Sequence, residues 1–175
     1  ARTPAGLEEV DDAIRRSGWA AGPATLVPLD LREPFEADKL GPAIAERFGR
    51  LDILVGNAGV LGTLTPLHQI EPSEWDDVMA LNLTANWRLI RTLDPLLRRS
   101  DAGRAMFVSS GVAGGRAYWG SYAVSKTALE GLVLTWAQET AKTDLRINLI
   151  DPGGVRTSMR ATAFPGEDPM TLPAP

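Results

Sequence analysis

Residues 51–59 read LDILVGNAG, an apolar run from Leu51 to Val55 that stops abruptly at Gly56-Asn57-Ala58-Gly59. A short continuous apolar run, rather than an alternating one, is the pattern of a strand buried in a parallel sheet. The small residues behind it suit a tight turn through which backbone approaches a ligand closely. The Asn57 amide is expected to tie neighbouring strands together through their backbone groups. Two further segments repeat this strand-to-turn design. RAMFVSSGVAGG begins at Arg104 and runs from an apolar strand into two serines and a glycine-rich loop. LRINLIDPGGVRTSM begins at Leu145 and breaks at Pro152-Gly153-Gly154, then passes Thr157 into a short helix. Groups at the carboxyl ends of such strands face ligands in open α/β sheets.

Between these strands the apolar period lengthens to that of helices, and the alternation predicts a doubly wound parallel sheet. Pro4 to Arg16 reads as a helix ended by Gly18, with Leu7, Val10 and Ile14 on one face. Ala24 to Leu31 reads as a strand, Glu33 to Phe48 as a helix closed by Gly49, and Ser73 as the N-cap of a long helix reaching Arg99, with Asp76 as its acidic partner. Arg104 to Ser109, a helix carrying Tyr122, and Leu145 to Ile150 complete four strands and four main helices.

The helix SYAVSKTALEGLVLTWAQET, beginning at Ser121, places Tyr122 and Lys126 four residues apart and therefore on one face. A phenol ordinarily titrates near pH 10, about three units above neutrality, and a neighbouring ammonium favours the phenolate. The pair reads as an acid with its tuning cation; taken alone, the same spacing also describes a surface pair whose apolar stems lie along the protein.

In chain order, GNAG, Asn82, the Ser109-Ser110 pair, Tyr-x-x-x-Lys and PGGVRT resemble the short-chain dehydrogenase/reductase family. The loop GGRAYWGSYAVSK and the tail RTSMRATAFPGEDP are most similar to bacterial members near the 3-oxoacyl-carrier-protein reductases. The resemblance spans nearly the whole chain. It implies a Rossmann-type, three-layer α/β/α domain and NADP(H)- or NAD(H)-dependent interconversion of a carbonyl and a secondary alcohol. Tyr122 would be the acid/base, Lys126 would lower its pKa and hold the nicotinamide ribose, and Asn82 would link a water to the lysine. Ser109 or Ser110 would bind the substrate oxygen: the family's interval to the tyrosine points to Ser109, the second place of the pair to Ser110. Asp30 and the Leu31 NH would bind adenine. Asn57, Ala58 and Gly59 would flank the adenine ribose and pyrophosphate, and Pro152, Gly153, Val155 and Thr157 would border the nicotinamide. Arg2 stands where an acid would grip a ribose 2′-hydroxyl; a guanidinium suits a 2′-phosphate, which favours NADP(H) over NAD(H). The family also implies a homodimer or homotetramer built through two long helices. A non-catalytic relative that senses nucleotides or acts as a scaffold is the competing reading, and retention of Tyr122, Lys126, Asn82 and a serine argues against it.

At 175 residues and 44% hydrophobic content the whole chain, 1–175, reads as one domain with one core. A net charge of −4 and arginines scattered among acids argue against nucleic acid as a partner. With no cysteine and one histidine, the chain offers neither a disulfide framework nor a metal cluster. Apolar runs are strand-sized and no leader-like segment opens the sequence, so a cytoplasmic protein without membrane contact is expected. His68 reads as a solvated loop residue. Tyr118 reads as lining the substrate mouth or packing on Trp119, and Asn86 as exposed. The substrate pocket is expected from Val60 to Leu67, Gly114 to Trp119 and the segment after Thr157. A dinucleotide-binding unit opens with a strand, a glycine-rich turn and a helix, roughly 35–45 residues that do not precede Ala1. The first βαβ segment and a C-terminal helix and strand are therefore expected to be lacking, as in a fragment of a longer chain.

Overall fold

Prolines and glycines set the helix boundaries. The computed structural model describes residues 2–18 and 22–175. Helix α1 (Pro4–Ser17) opens on a proline in its first turn and closes at Gly18, whose φ of 71° is left-handed. Helix α2 (Pro34–Phe48) repeats the device with Gly49 at φ 75°. Strand β1 (Ile53–Gly56), α3 (Pro72–Met79), α4 (Ala85–Leu97), β2 (Arg104–Val108), α5 (Gly120–Glu139), β3 (Arg146–Ile150) and α6 (Ser158–Ala163) follow. The strands are parallel in the order β1-β2-β3, with Ile53 beside Arg104 and Arg104 beside Arg146.

Leu54, Ala105 and Phe107 point from the sheet toward α4 and α5, where they meet Leu89, Leu93, Leu129, Val133 and Trp136. Phe107 and Leu129 are fully buried, each worth about 1.5–3 kcal/mol of transfer free energy. The Trp136 ring meets Phe107 edge-on at 6.2 Å and its Nε1 donates to Asp94 Oδ1 at 2.8 Å, so the apolar stripe of α5 is core. Helix α2 lies against α4 so closely that a Cβ on Gly41 would overlap Thr92. On the other face of the sheet Ile53 and Val55 are 64% and 51% exposed within the described chain.

Three expectations are corrected. Ala24 to Asp30 carries no regular secondary structure and joins no ladder, Leu31 lies in a turn, and Ala24 N donates instead to Asp11 Oδ1 of α1 at 2.7 Å. Apolar content makes a segment eligible for a sheet, but only a neighbouring strand completes its hydrogen bonds. Ser73 does not cap its helix: Glu71 occupies the N-cap and Pro72 the first position, where no NH needs a partner. The long helix is also not continuous. Ala80–Thr84 forms a π turn in which Ala85 N donates to Ala80 O, and α4 resumes beyond it.

Candidate active site

The carboxyl ends of all three strands open into one cleft of about 330 Å³. Asn57 and Gly59 come from the β1 exit, Ser109 and Ser110 from β2, and Pro152, Gly153, Val155 and Thr157 from β3, with Tyr122 and Lys126 entering from α5. The sequence-expected residues that do not line it are Arg2, Asp30, Leu31, Ala58 and Asn82.

Tyr122 and Lys126 are 7% and 4% exposed, which excludes a surface pair. The lysine reaches the strand ends by threading between α5 and the sheet, where Nζ donates to Val108 O at 2.7 Å and lies 5.7 Å from the Tyr122 ring centre. An ammonium has three hydrogens; two remain free among the described residues. Burial, the largest influence, pushes the Tyr122 phenol up from its ordinary value. The neighbouring Ser110 hydroxyl opposes that and the Asp151 carboxylate adds to it. Burial pulls Lys126 down. The expected lowering of Tyr122 by Lys126 is therefore not what the protein alone does, because both groups have lost the water that would stabilise their charged forms.

The two serines stand in different surroundings. Ser109 is buried and its Oγ donates to Glu130 Oε1 on α5 at 2.5 Å. Ser110 lines the cleft with Tyr122 and pulls the phenol down against the larger effect of burial. Glu130 was not found from sequence; as one acid on a long helix it carries no pattern, and only the fold brings it to β2.

Asn82 sits in the π turn, fully buried. Its Oδ1 accepts from Val60 N at 2.8 Å, and its Nδ2 donates to Val60 O at 2.9 Å and Ser125 Oγ at 3.0 Å. Ser125 Oγ in turn donates to Tyr122 O at 2.8 Å. The amide thus fastens the loop after β1 to the helix that carries the tyrosine. Asn86, expected exposed, is buried and donates to Asn82 O at 2.8 Å. Asn57, expected to bridge strands, is exposed and forms no side-chain hydrogen bond among the described residues.

Farther from the tyrosine along the chain, the outer wall takes shape. Thr157 caps α6, its Oγ1 accepting from Arg160 N at 3.2 Å. Leu61, Trp119, Met159 and Phe164 line the cleft, whereas Gly114 to Tyr118, expected in it, line a separate depression with Leu67. Tyr118 is 68% exposed, and His68 is exposed in a short turn. At the distant Asp30 end, Arg32 holds both carboxylate oxygens and reaches across to Asp77. Arg2 stands 3.8 Å from Asp30 and is 63% exposed. Arg32 above all, with Arg2 behind it, pulls the Asp30 pKa down to about 2. Leu31 packs partly against the core.

The residues fit the nicotinamide end of a dinucleotide. A Cβ on Gly59 would lie 3.2 Å from Asn82 Oδ1 and 3.8 Å from Lys126 Nζ, so glycine keeps the approach to the lysine open. Gly153, at φ 68°, has nothing near the place of a Cβ. Two unpaired ammonium hydrogens in such a cradle suit the hydroxyls of a ribose. Among the described residues no group of acids and histidines could hold a metal ion, and no helix is long and apolar enough to cross a membrane.

Comparison with known proteins agrees with this geometry. Residues 1–168 match the short chain dehydrogenase family, and the chain belongs to it. YciK, an uncharacterised oxidoreductase of Escherichia coli K12, is 48% identical over 138 residues, covering 78% of this chain and 54% of its own length. An uncharacterised NAD-dependent oxidoreductase of Mycobacterium tuberculosis is 35% identical over 158 residues, 89% of this chain and 57% of that protein. A 3-oxoacyl-[acyl-carrier-protein] reductase of rhamnolipid biosynthesis in Pseudomonas aeruginosa is 35% identical over 170 residues, 94% of this chain and 64% of its own. The chain thus spans little more than half the length of the first two. Among solved structures, a short chain dehydrogenase from Shigella flexneri complexed with NADP superposes with a TM-score of 0.92 at 40% identity, over 99% of this chain and 72% of that one. The fold is accordingly Rossmann-type, an open parallel sheet with helices, consistent with a three-layer α/β/α architecture.

Proposed function

We propose that the protein is an NADP(H)-dependent oxidoreductase that interconverts a carbonyl and a secondary alcohol. The observation that carries this is the buried Tyr122, with Ser110 acting on its hydroxyl and Lys126 behind it with two hydrogens unspent. When bound, the nicotinamide gives or takes the hydride. The chain's own residues do the rest. Ser110 and Tyr122 hydroxyls converge on the substrate oxygen; in reduction Tyr122 delivers its proton there, and in oxidation it removes one. Ser110 donates to the oxygen as negative charge gathers on it. Lys126 offers its free hydrogens to a ribose and its charge to the tyrosinate that proton transfer leaves behind. Asn82, through Val60 and Ser125, keeps the tyrosine helix and the β1 loop at fixed separation; a water bridging Asn82 to Lys126 belongs to this proposal.

Arg2, exposed and without a bidentate partner, supports a 2′-phosphate, as does the NADP held by the Shigella neighbour. The mycobacterial relative described as NAD-dependent sets the contrary case. Asp30 and the Leu31 NH would meet adenine, with Asp30 shared with Arg32, and Ala58 would border the pyrophosphate side. Exposed Trp87 on α4 and Leu134 on α5 support assembly as a homodimer or homotetramer through those helices, and one domain in the cytoplasm completes the proposal. The test is a titration of full-length protein with NADPH and NADH by cofactor fluorescence, alongside turnover by wild type and Tyr122→Phe. Tight NADPH binding with turnover lost in the variant is expected. Binding with no Tyr122-dependent turnover on any carbonyl would point to a nucleotide sensor, and no binding to a scaffold.

A further inference from the structure

Past the Tyr122 hydroxyl the cleft wall is made of rings. Trp119 lies 6.0 Å from Tyr122, tilted by 44°, and Phe164 lies 5.8 Å from Trp119, tilted by 49°. Leu61, Met159 and Ala163 border the same surface. The wall therefore begins at the Tyr122 ring, and a substituent directed to that side of the cleft meets it.

Apart from Lys126, which the proposed function commits to the nicotinamide ribose, the charges around this wall are disposed to reject an anion. Among the described residues Arg160 is the only arginine lining the cleft, and its guanidinium is already engaged by a carboxylate of this chain. Nε and Nη2 donate to the two oxygens of Glu167 at 2.6 and 2.7 Å, while the guanidinium carbon stacks 3.7 Å above the Phe164 ring. This bidentate pair is the strong form of an Arg–carboxylate contact. It neutralises the cation and fixes the ring. The remaining charge on that side is Asp151, a carboxylate that accepts from Gly153 N at 3.0 Å and has no cationic partner among the described residues. Arg116 stacks on Trp119 at 5.5 Å but lines the neighbouring depression, not the cleft.

Resting on the reductase reading, we infer that the substrate is an uncharged aryl ketone or aldehyde whose ring seats on Trp119 and Phe164, and that the site turns away 2-oxo acids. Glu167 is a positioning residue: it keeps Arg160 from offering a free guanidinium to a carboxylate and holds Phe164 in the wall.

The full-length enzyme with NADPH should be assayed on phenylacetone, phenylpyruvate, 2-butanone and an acetoacetyl thioester. Expected kcat/KM for phenylacetone exceeds that for 2-butanone by at least about tenfold and that for phenylpyruvate by about a hundredfold, the range that pocket contacts and unpaired charge command. Phe164→Ala and Trp119→Ala should each lower phenylacetone turnover about tenfold while 2-butanone stays within about twofold, a split that a folding defect would not give. Glu167→Gln should raise phenylpyruvate relative to phenylacetone by freeing Arg160. Preference for phenylpyruvate or the thioester, or equal losses on both ketones in Phe164→Ala, would overturn the aryl assignment while leaving the reductase intact. Failure on every carbonyl, with Tyr122→Phe unchanged from wild type, would overturn the reductase reading and this inference with it.

Discussion

At one end of the cleft, Tyr122 and Lys126 are nearly sealed from solvent and held by Val108, Ser110 and the Asn82–Ser125 bridge. Away from the cleft, at the Asp30 end of the molecule, Arg2 is 63% exposed and Asp30 sits in a web of arginines about a quarter exposed. Under the proposed function the contrast separates two tasks. Proton transfer needs groups whose pKa is set by burial and fixed neighbours, and burial dominates both shifts at the Tyr122 end. Choosing between nucleotides needs only charge at the right radius, which solvent weakens without abolishing. Substitutions at the buried end should therefore change rates by orders of magnitude, and those at the exposed end should change affinities modestly.

The sharpest break is Tyr122→Phe. It removes one hydroxyl and keeps the ring in its wall, so turnover should fall by about 10²–10⁴-fold while NADPH affinity changes little. A parallel loss of affinity would mean that the phenol holds the nucleotide rather than moving protons. Next come the two serines. Ser110→Ala should cost about 10²-fold in kcat by removing a donor to the substrate oxygen. Ser109→Ala should cost only a few-fold, and about 1 kcal/mol of stability from the lost bond to Glu130. Equal effects would show that the pair acts as a unit.

Burial can be read directly at this end. The tyrosinate difference spectrum between cofactor-free wild type and Tyr122→Phe should titrate above the ordinary phenol value near pH 10. Ser110→Ala should move it further up, because the serine lowers that value. At the exposed end, Arg2→Ala should weaken NADPH by about tenfold and leave NADH unchanged, since the guanidinium meets only the extra phosphate. Matching losses for both nucleotides would assign Arg2 to holding Asp30 instead.

The two ends also differ in how far the sequence disclosed them. Tyr122, Lys126 and the strand exits were legible because local period and turn chemistry place them: four residues on a helix, or small residues after an apolar run. What was illegible depends on partners far along the chain. Asn82 was marked out by the resemblance, but that its amide holds Val60, 22 positions away, was not. The π turn that aims it carries no apolar signature. Asn86 gave no sign of burial, because its acceptor is a backbone carbonyl on its own helix rather than a neighbouring side chain. Glu130 and the Arg32 bridge between Asp30 and Asp77 are ordinary surface acids and bases in sequence, and only tertiary structure makes them neighbours. The strand reading of Ala24 to Leu31 failed on the same ground, since no sequence period records whether a ladder partner stands beside it.

The smallest expected effect tests that exposed web. Arg32 chiefly, then Arg2, stabilise the Asp30 carboxylate and bring its pKa to about 2. A carboxylate lowered in the folded state contributes stability that is present above its unfolded pKa, near 4, and is lost as pH falls through the folded value. Asp30→Asn has no proton to bind in that window. The stability gap between wild type and variant, followed by chemical denaturation, should be constant above about pH 5 and close as pH approaches 2. Solvent screening at this partly exposed site keeps the gap small. A gap that persists unchanged to low pH would show that Asp30 serves through its shape and backbone contacts, and that charge around it is left to the arginines and the nucleotide.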